Sequence, residues 1–202
     1  ASNRNNVLTD FFKKDGEYDR NRDFYTTTSP SMDILISSNL ERLLFFASGF
    51  DDKMVSELMT KLNTEGRYKV ASEVFAKIDA GCCDDEHAAE TIHKLWTEEK
   101  YLCDTHTAVA VRVYEDYRAR TGDQTPTVIA STASPFKFCR AVIEALGGTL
   151  EKDDVTQLDV LTGLTGVPAP APLAALAGKT PRFDRVVDKA DILSTVALLK
   201  DL

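Results

Sequence analysis

The sequence predicts an α/β chain that is mostly helical, with very few strands of its own. Three observations carry this. Apolar residues recur at helical spacing in one stripe after another, the pattern of one-sided helices packed on a core. A single short β-branched run, Thr127 to Ala130, follows Pro126 and suits a buried strand. That run leads through a hydroxyl-rich turn, Ser131 to Ser134, into a helix opened by Pro135. Such strand–loop–helix corners are where ligands collect in open α/β sheets. A lone strand is not stable by itself, so its partners are expected in sequence outside this chain.

The elements follow in order. "VLTDFF" suits a short helix, and "KKDGEYDRNRD" reads as a charged loop. "TTTSPSMDILISSNLERLLFF", Thr26 to Phe46, reads as a loop, a strand-like apolar segment, a cap and a helix. Asn39 is the expected cap, with Leu40, Leu43 and Leu44 on the buried face. Asp51 caps the next helix, whose stripe of Met54, Val55, Leu58, Met59 and Leu62 ends at Gly66. Val70, Val74, Phe75 and Ile78 make a further helical stripe, stopped by Gly81. Asp84 starts a helix carrying Ala88, Ala89, Ile92, Leu95 and Trp96. "CDTHTAVAVRVYEDYRARTG" is a loop entering a helix of Val109, Val113, Tyr114 and Tyr117, closed by Gly122. Ser134 is a natural N-cap with Pro135 in the first helical position, and Phe138, Val142 and Leu146 carry that helix to Gly147. The tail predicts a helix through Val155, Leu158 and Leu161, a "GVPAPAP" surface connection and a short alanine-leucine helix. A loop, "KTPRFDRVVD", then precedes a final helix of Ile192, Val196 and Leu199 capped by Asp188. No repeat or low-complexity tract interrupts this, and residues 1–202 read as one compact unit.

Composition narrows the function. The 202 residues are 43% hydrophobic and 28% charged, ordinary globular values. A net charge of −8, from 24 basic and 32 acidic side chains, argues against nucleic acid or an anionic membrane as partner. No apolar stretch approaches a membrane span and no signal layout opens the chain, so a cytoplasmic location is expected. The first residue is not methionine, which suits a piece of a longer protein. Cys82, Cys83, Cys103 and Cys139 match no zinc spacing and are expected as free thiols. His87 and His93, six apart, do not share a helical face and read as solvated. His106, in "DTHTA", stands at a loop–helix junction, either facing a ligand or belonging to the cap. The pairs Asp84-Asp85 and Asp153-Asp154 fall where helix starts favour negative charge. GxSxG, HExxH, GxGxxG and P-loop patterns are all missing, so the residues alone reveal no catalytic machinery.

Several segments spread over the whole chain resemble those of the threonine synthases. "ASNRNNVLTDFF" is similar to the family's NxND-x-L-x-x-FF segment, and "SMDILISSNLER" (Ser31 to Arg42) resembles its SMDI signature followed by SSNFER. "DTHTAVA" is similar to DPHTAVG, "STASPFKF" (Ser131 to Phe138) to STAHPxKF or ATASPFKF, and "LTGVP...RVVDK" to the family's tail. The resemblance implies the C-terminal part of a tryptophan-synthase-like (type II) pyridoxal-phosphate enzyme. Its parent would convert O-phospho-L-homoserine and water to L-threonine and phosphate. The Schiff-base lysine and the glycine-rich coenzyme-phosphate loop are then expected upstream of Ala1. No catalytic residue is assigned here, and this chain alone is expected to be inactive. One carry-over follows. A neutral hydroxyl meets the coenzyme's pyridine nitrogen in this fold, and "STASP" matches that position, with Thr132 the first choice and Ser131 the second. The alternative is that both hydroxyls only cap the helix at Pro135.

The sequence departs from the family pattern at a few places. Asn6 stands for Asp, Leu40 for Phe, Thr105 for Pro and Ala110 for Gly, while Ser134 in place of His is a family variant. Two competing readings remain, a non-catalytic helical scaffold or interaction domain and another type II pyridoxal-phosphate lyase.

Overall fold

The computed structural model describes residues 1–71, 75–180 and 185–198, which bury two apolar clusters. The first is built by α1 (Val7–Lys13), β1 (Glu17–Asp19), α2 (Ser38–Ala47), α3 (Asp52–Thr64) and β2 (Arg67–Lys69). Phe11 stands at its centre, fully buried, with the rings of Phe12, Phe75, Tyr18 and Tyr68 at 5.1, 5.3, 6.0 and 6.4 Å. Burial of one such ring stabilises by ~1.5–3 kcal/mol. The two strands are antiparallel, and Tyr18 lies opposite Tyr68 with their rings stacked at 5.2 Å. Gly16 turns the chain into β1 with φ +72°, and a Cβ there would run into the Val70 carbonyl.

The second cluster joins α4 (Asp85–Glu99), α5 (Thr105–Thr121), α6 (Cys139–Ala145) and α7 (Thr156–Thr165). Ala88, Ile92, Ala108, Val109, Val142, Ile143 and Leu161 are its most buried members. Lys94–Glu115 at 2.8 Å and Arg112–Glu90 at 3.4 Å cross between α4 and α5. At such exposure each contributes at most ~1 kcal/mol. The short α8 (Ala171–Ala174) and α9 (Ile192–Leu198) complete the helices of the described residues. The two clusters meet where the Ser2 amide and the Thr9 hydroxyl both donate to the Gly81 carbonyl, at 2.9 and 2.8 Å.

Most expected helices and stops are present. Asp51 and Asp84 cap α3 and α4 by accepting from the Met54 and His87 amides. Gly122 ends α5 in the left-handed conformation. Ser134 accepts from the Phe136 amide, opening a 3-10 turn, Pro135–Lys137, that leads into α6.

Other expectations are corrected. Thr127–Ala130 is not a buried strand. Val128 is 95% exposed, and residues 124–133 make no backbone–backbone hydrogen bond among the described residues, because no strand lies beside them. The helix expected from Val70 to Ile78 is replaced by β2 and a turn at Phe75, while Val74 lies outside the described residues. The charged loop "KKDGEYDRNRD" contains β1. The strand-like "MDILI" leaves a 3-10 turn, Pro30–Met32, and continues as loop and bends. Ser37, not Asn39, precedes α2, and Asp188 flanks a 3-10 turn without a side-chain cap bond. Leu199 lies outside the described residues.

Candidate functional site

The residues singled out by their types converge on the N-terminus of α5. Asp104, fully buried, caps that helix by accepting from the amides of His106 (2.9 Å) and Thr107 (3.4 Å). His106 is buried, its ring 4.6 Å from that of Phe138, so the histidine belongs to the packed junction as well as to the cap. Its Nδ1 lies 3.0 Å from Asp104 Oδ1, and its Nε2 accepts from the Ser31 amide at 3.1 Å. The Thr107 hydroxyl touches Asp104 Oδ2 and lies 3.0 Å from Ser131 Oγ. An unbroken chain of contacts therefore runs from the loop at Ser31, through His106, Asp104 and Thr107, to Ser131.

That loop is held at several further points. Asp33 Oδ1 accepts from Asn3 Nδ2 (2.7 Å), Asn5 Nδ2 (3.0 Å) and the Thr27 hydroxyl (2.7 Å), and Oδ2 accepts from the Thr27 amide at 3.0 Å. Asp85, in the first turn of α4, accepts from the Thr28 amide and hydroxyl at 3.1 and 2.9 Å. Residues 27–33 are thus bound to the asparagine-rich segment before α1, to α4 and to α5. A segment with so many buried polar partners is a fixed wall and not a free connection.

Ser131 and Thr132 lie at the exposed end of the extended segment. Ser131 is tied inward to Thr107, whereas Thr132 takes part in no hydrogen bond among the described residues. Neither caps the turn at Pro135, which Ser134 does. The segment just before them, Thr127–Ala130, borders a cleft of about 720 Å³ also lined by Gly81, Val113 and Tyr117. A second cleft of about 610 Å³ lies between Thr27, Thr28 and Pro30 on one side and Lys137, Phe138 and Arg140 on the other. Arg140 is paired there with Asp154 at 2.6 Å.

The remaining candidates are structural. His87 bonds Asp84 at 2.6 Å, and the exposed His93 lies 3.2 Å from the Ala145 carbonyl. Among the described residues no cluster of three metal-binding side chains occurs. All four cysteines are free, and only Cys82 is exposed. Burial pushes the Cys83 and Cys103 thiols up to about 12, and raises Cys139 as well, so these are poor nucleophiles. Sequence reasoning missed Asp33, Asn3, Asn5, Asp104 and Thr107. The ASNRNN, SMDI and DTHTA segments that hold them drew notice, but these residues themselves did not.

Comparison with known proteins gives the family. Residues 107–196 match the family model described as threonine synthase, C-terminal. Human threonine synthase-like 1 is 39% identical over 152 residues, covering 72% of this chain and 20% of that protein. Threonine synthase of Saccharomyces cerevisiae is 37% identical over 175 residues, 76% of this chain and 34% of the enzyme. The crystal structure of threonine synthase from yeast superposes with a TM-score of 0.79 at 28% identity, covering 100% of this chain and 41% of that one. A PLP-bound threonine synthase from Brucella melitensis gives a TM-score of 0.64 at 38% identity, over 73% of this chain and 32% of that one. The chain thus spans between 20% and 34% of these two curated relatives. By sequence and by fold, the chain belongs with the threonine synthase family, to whose C-terminal part it corresponds.

Proposed function

We propose that this chain serves as the C-terminal part of a pyridoxal-phosphate-dependent threonine synthase, which makes L-threonine and phosphate from O-phospho-L-homoserine and water. The single observation that carries this reading is the pair of neutral hydroxyls at 131 and 132. One is held from behind by Thr107 and the other is without a partner among the described residues, at the end of a segment whose backbone is unpaired. A pyridine nitrogen fits such a pair, because a hydroxyl can donate to the nitrogen without forcing a proton onto it. The residues of this corner therefore fit the ring of pyridoxal phosphate. Thr132, or failing it Ser131, would hold the ring nitrogen. When bound, the coenzyme supplies an electron sink for proton movements on the substrate's carbons. The wall of residues 27–33, fixed through Asp33 and joined to Ser131 through His106, keeps the hydroxyls in place relative to the rest of the chain.

Residues 1–202 work as one unit on this reading, and the coenzyme-anchoring lysine comes from sequence outside it. The chain by itself is inactive. Its substrate is a small phosphorylated amino acid, its setting the cytoplasm, and neither nucleic acid nor membrane is a partner. The acidic composition supports this, and no described helix is long and apolar enough to cross a membrane. A second, non-catalytic reading is kept because one relative is named only as like a threonine synthase. Human threonine synthase-like 1, at 39% identity, is as similar to this chain as the yeast synthase at 37%. The full-length protein, given pyridoxal phosphate and O-phospho-L-homoserine, is expected to release phosphate and threonine in equal amounts, and the 202-residue chain neither. A coenzyme-loaded full-length protein that releases no phosphate would favour the non-catalytic reading.

A further inference from the structure

The cleft of about 610 Å³ beside Lys137 and Arg140 has the size of a small-molecule site, and its lining is mostly apolar with a few polar groups. Gln157 lines it and is fully buried. Its Nε2 donates to the Glu151 carbonyl, which only accepts, and this fixes the orientation of the amide. Oε1 is left buried, with no hydrogen-bond partner among the described residues. Folded chains keep few such oxygens, because burying one without a donor is costly. Arg140 is held on two sides, its Nε by Asp154 at 2.6 Å and its Nη2 by the Lys152 carbonyl at 3.0 Å, so that Nη1 is left over. Lys137 is exposed and forms no ion pair among the described residues. Asp154 and Gln157 both stand at the start of α7, so the ion pair with Arg140 sets the orphaned oxygen and the cations on one cleft. The charges that line it, Lys137, Arg140 and Asp154, leave a net positive wall.

The geometry points to this cleft as a binding site for a free apolar α-amino acid. The carboxylate meets Lys137 and the spare N–H of Arg140. The ammonium group donates to Gln157 Oε1 and displaces the side chains that close over it. The apolar side chain lies against Phe136, Leu158, Leu173 and Leu176. A zwitterion suits a wall that offers both cations and a buried acceptor. A carboxylate without an amine would leave Oε1 orphaned, and an amine without a carboxylate would face Lys137 unpaired. Neither Ser131 nor Thr132 lines the cleft, and the inference does not rest on the coenzyme reading above.

The test titrates the full-length protein, loaded with pyridoxal phosphate, by calorimetry with L-leucine. Two controls run beside it: 4-methylpentanoate, which lacks the amine, and L-leucinamide, which lacks the carboxylate. L-leucine is expected to bind roughly tenfold or more tighter than either. Gln157→Met keeps the length of the side chain without its oxygen, and this variant is expected to bind L-leucine and 4-methylpentanoate alike. Lys137→Met, a change at an exposed position, is expected to bring the affinity for L-leucine down toward that for L-leucinamide. Far-UV circular dichroism confirms folding, and Lys137→Met serves if the Gln157 variant does not fold. The absorption of the bound coenzyme, followed in the same titration, is expected to stay fixed. L-leucine binding that moves this absorption puts the amino acid at the coenzyme and overturns the site. So does saturable binding that neither substitution alters, or no binding at millimolar L-leucine. Each of these results leaves the coenzyme reading standing, since Thr132→Val tests that separately.

Discussion

Replacing Asp33 by alanine tests whether the Thr26–Asp33 loop is a fixed wall. The carboxylate accepts four hydrogen bonds, from Asn3, Asn5 and twice from Thr27. At ~1.5–3 kcal/mol for each bond to a charged group, a simple sum reaches ~6–12 kcal/mol. The sum overstates the loss, because Asn3 keeps the Ser29 carbonyl and hydroxyl at 3.2 and 3.1 Å, and Asn5 keeps the Tyr25 carbonyl at 2.8 Å. Only the Thr27 amide is left with nothing to replace its partner. Coupled bonds in one network are not additive, and a loss of ~2–4 kcal/mol is expected from Asp33→Ala. Asp33→Asn retains the Oδ1 acceptor that serves three donors and sets an NH2 group against the Thr27 amide, for an expected ~1–2 kcal/mol. Urea denaturation of the 202-residue chain followed by circular dichroism measures both. At a chain of this length each kcal/mol moves Tm by ~2–4 °C. A loss below ~0.5 kcal/mol for Asp33→Ala, the range of ordinary surface changes, would refute the description of this loop as anchored.

Further outcomes follow from the same structure. A thiol reagent at pH 8 is expected to modify Cys82 quickly in the native chain and the other three cysteines only on unfolding, because burial holds them protonated; four fast thiols would contradict the packing of the second cluster. The Asp84 carboxyl is held below its usual range by the His87 amide, then by the His87 ring. Its folded value lies below its unfolded one, so its contribution is present above ~pH 4 and lost as pH falls through the lowered value. The stability gap between the native chain and Asp84→Asn should therefore close on titration from pH 5 toward pH 2, and a constant gap would show that the charge at this cap is irrelevant.

The long helices were legible because each announces itself twice, by a one-sided apolar stripe and by a cap such as Asp51, Asp84 or Gly122. The strands were not. Strands of three residues turn a single side chain inward, Tyr18 or Tyr68, and a period of two cannot show in one residue. Val70 and Phe75 fell at helical spacing but pack on the first cluster from a strand end and a turn. Thr127–Ala130 has the composition of a buried strand, yet nothing in the described residues pairs with it. At the site, Ser131 and Thr132 were found through resemblance to a family. The groups behind them were not, since Ser31–His106 and Thr107–Ser131 join residues 75 and 24 positions apart, a pairing only the folded chain brings about.

The most direct measurement is the absorption spectrum and turnover of full-length protein with Thr132→Val. If this hydroxyl meets the coenzyme's ring nitrogen, the variant binds pyridoxal phosphate with a displaced absorption maximum and loses roughly 10–100-fold in turnover, the ~1.4–2.7 kcal/mol expected of one hydrogen bond in a water-excluded site. A spectrum and a rate both equal to those of the unaltered protein would remove Thr132 from the site.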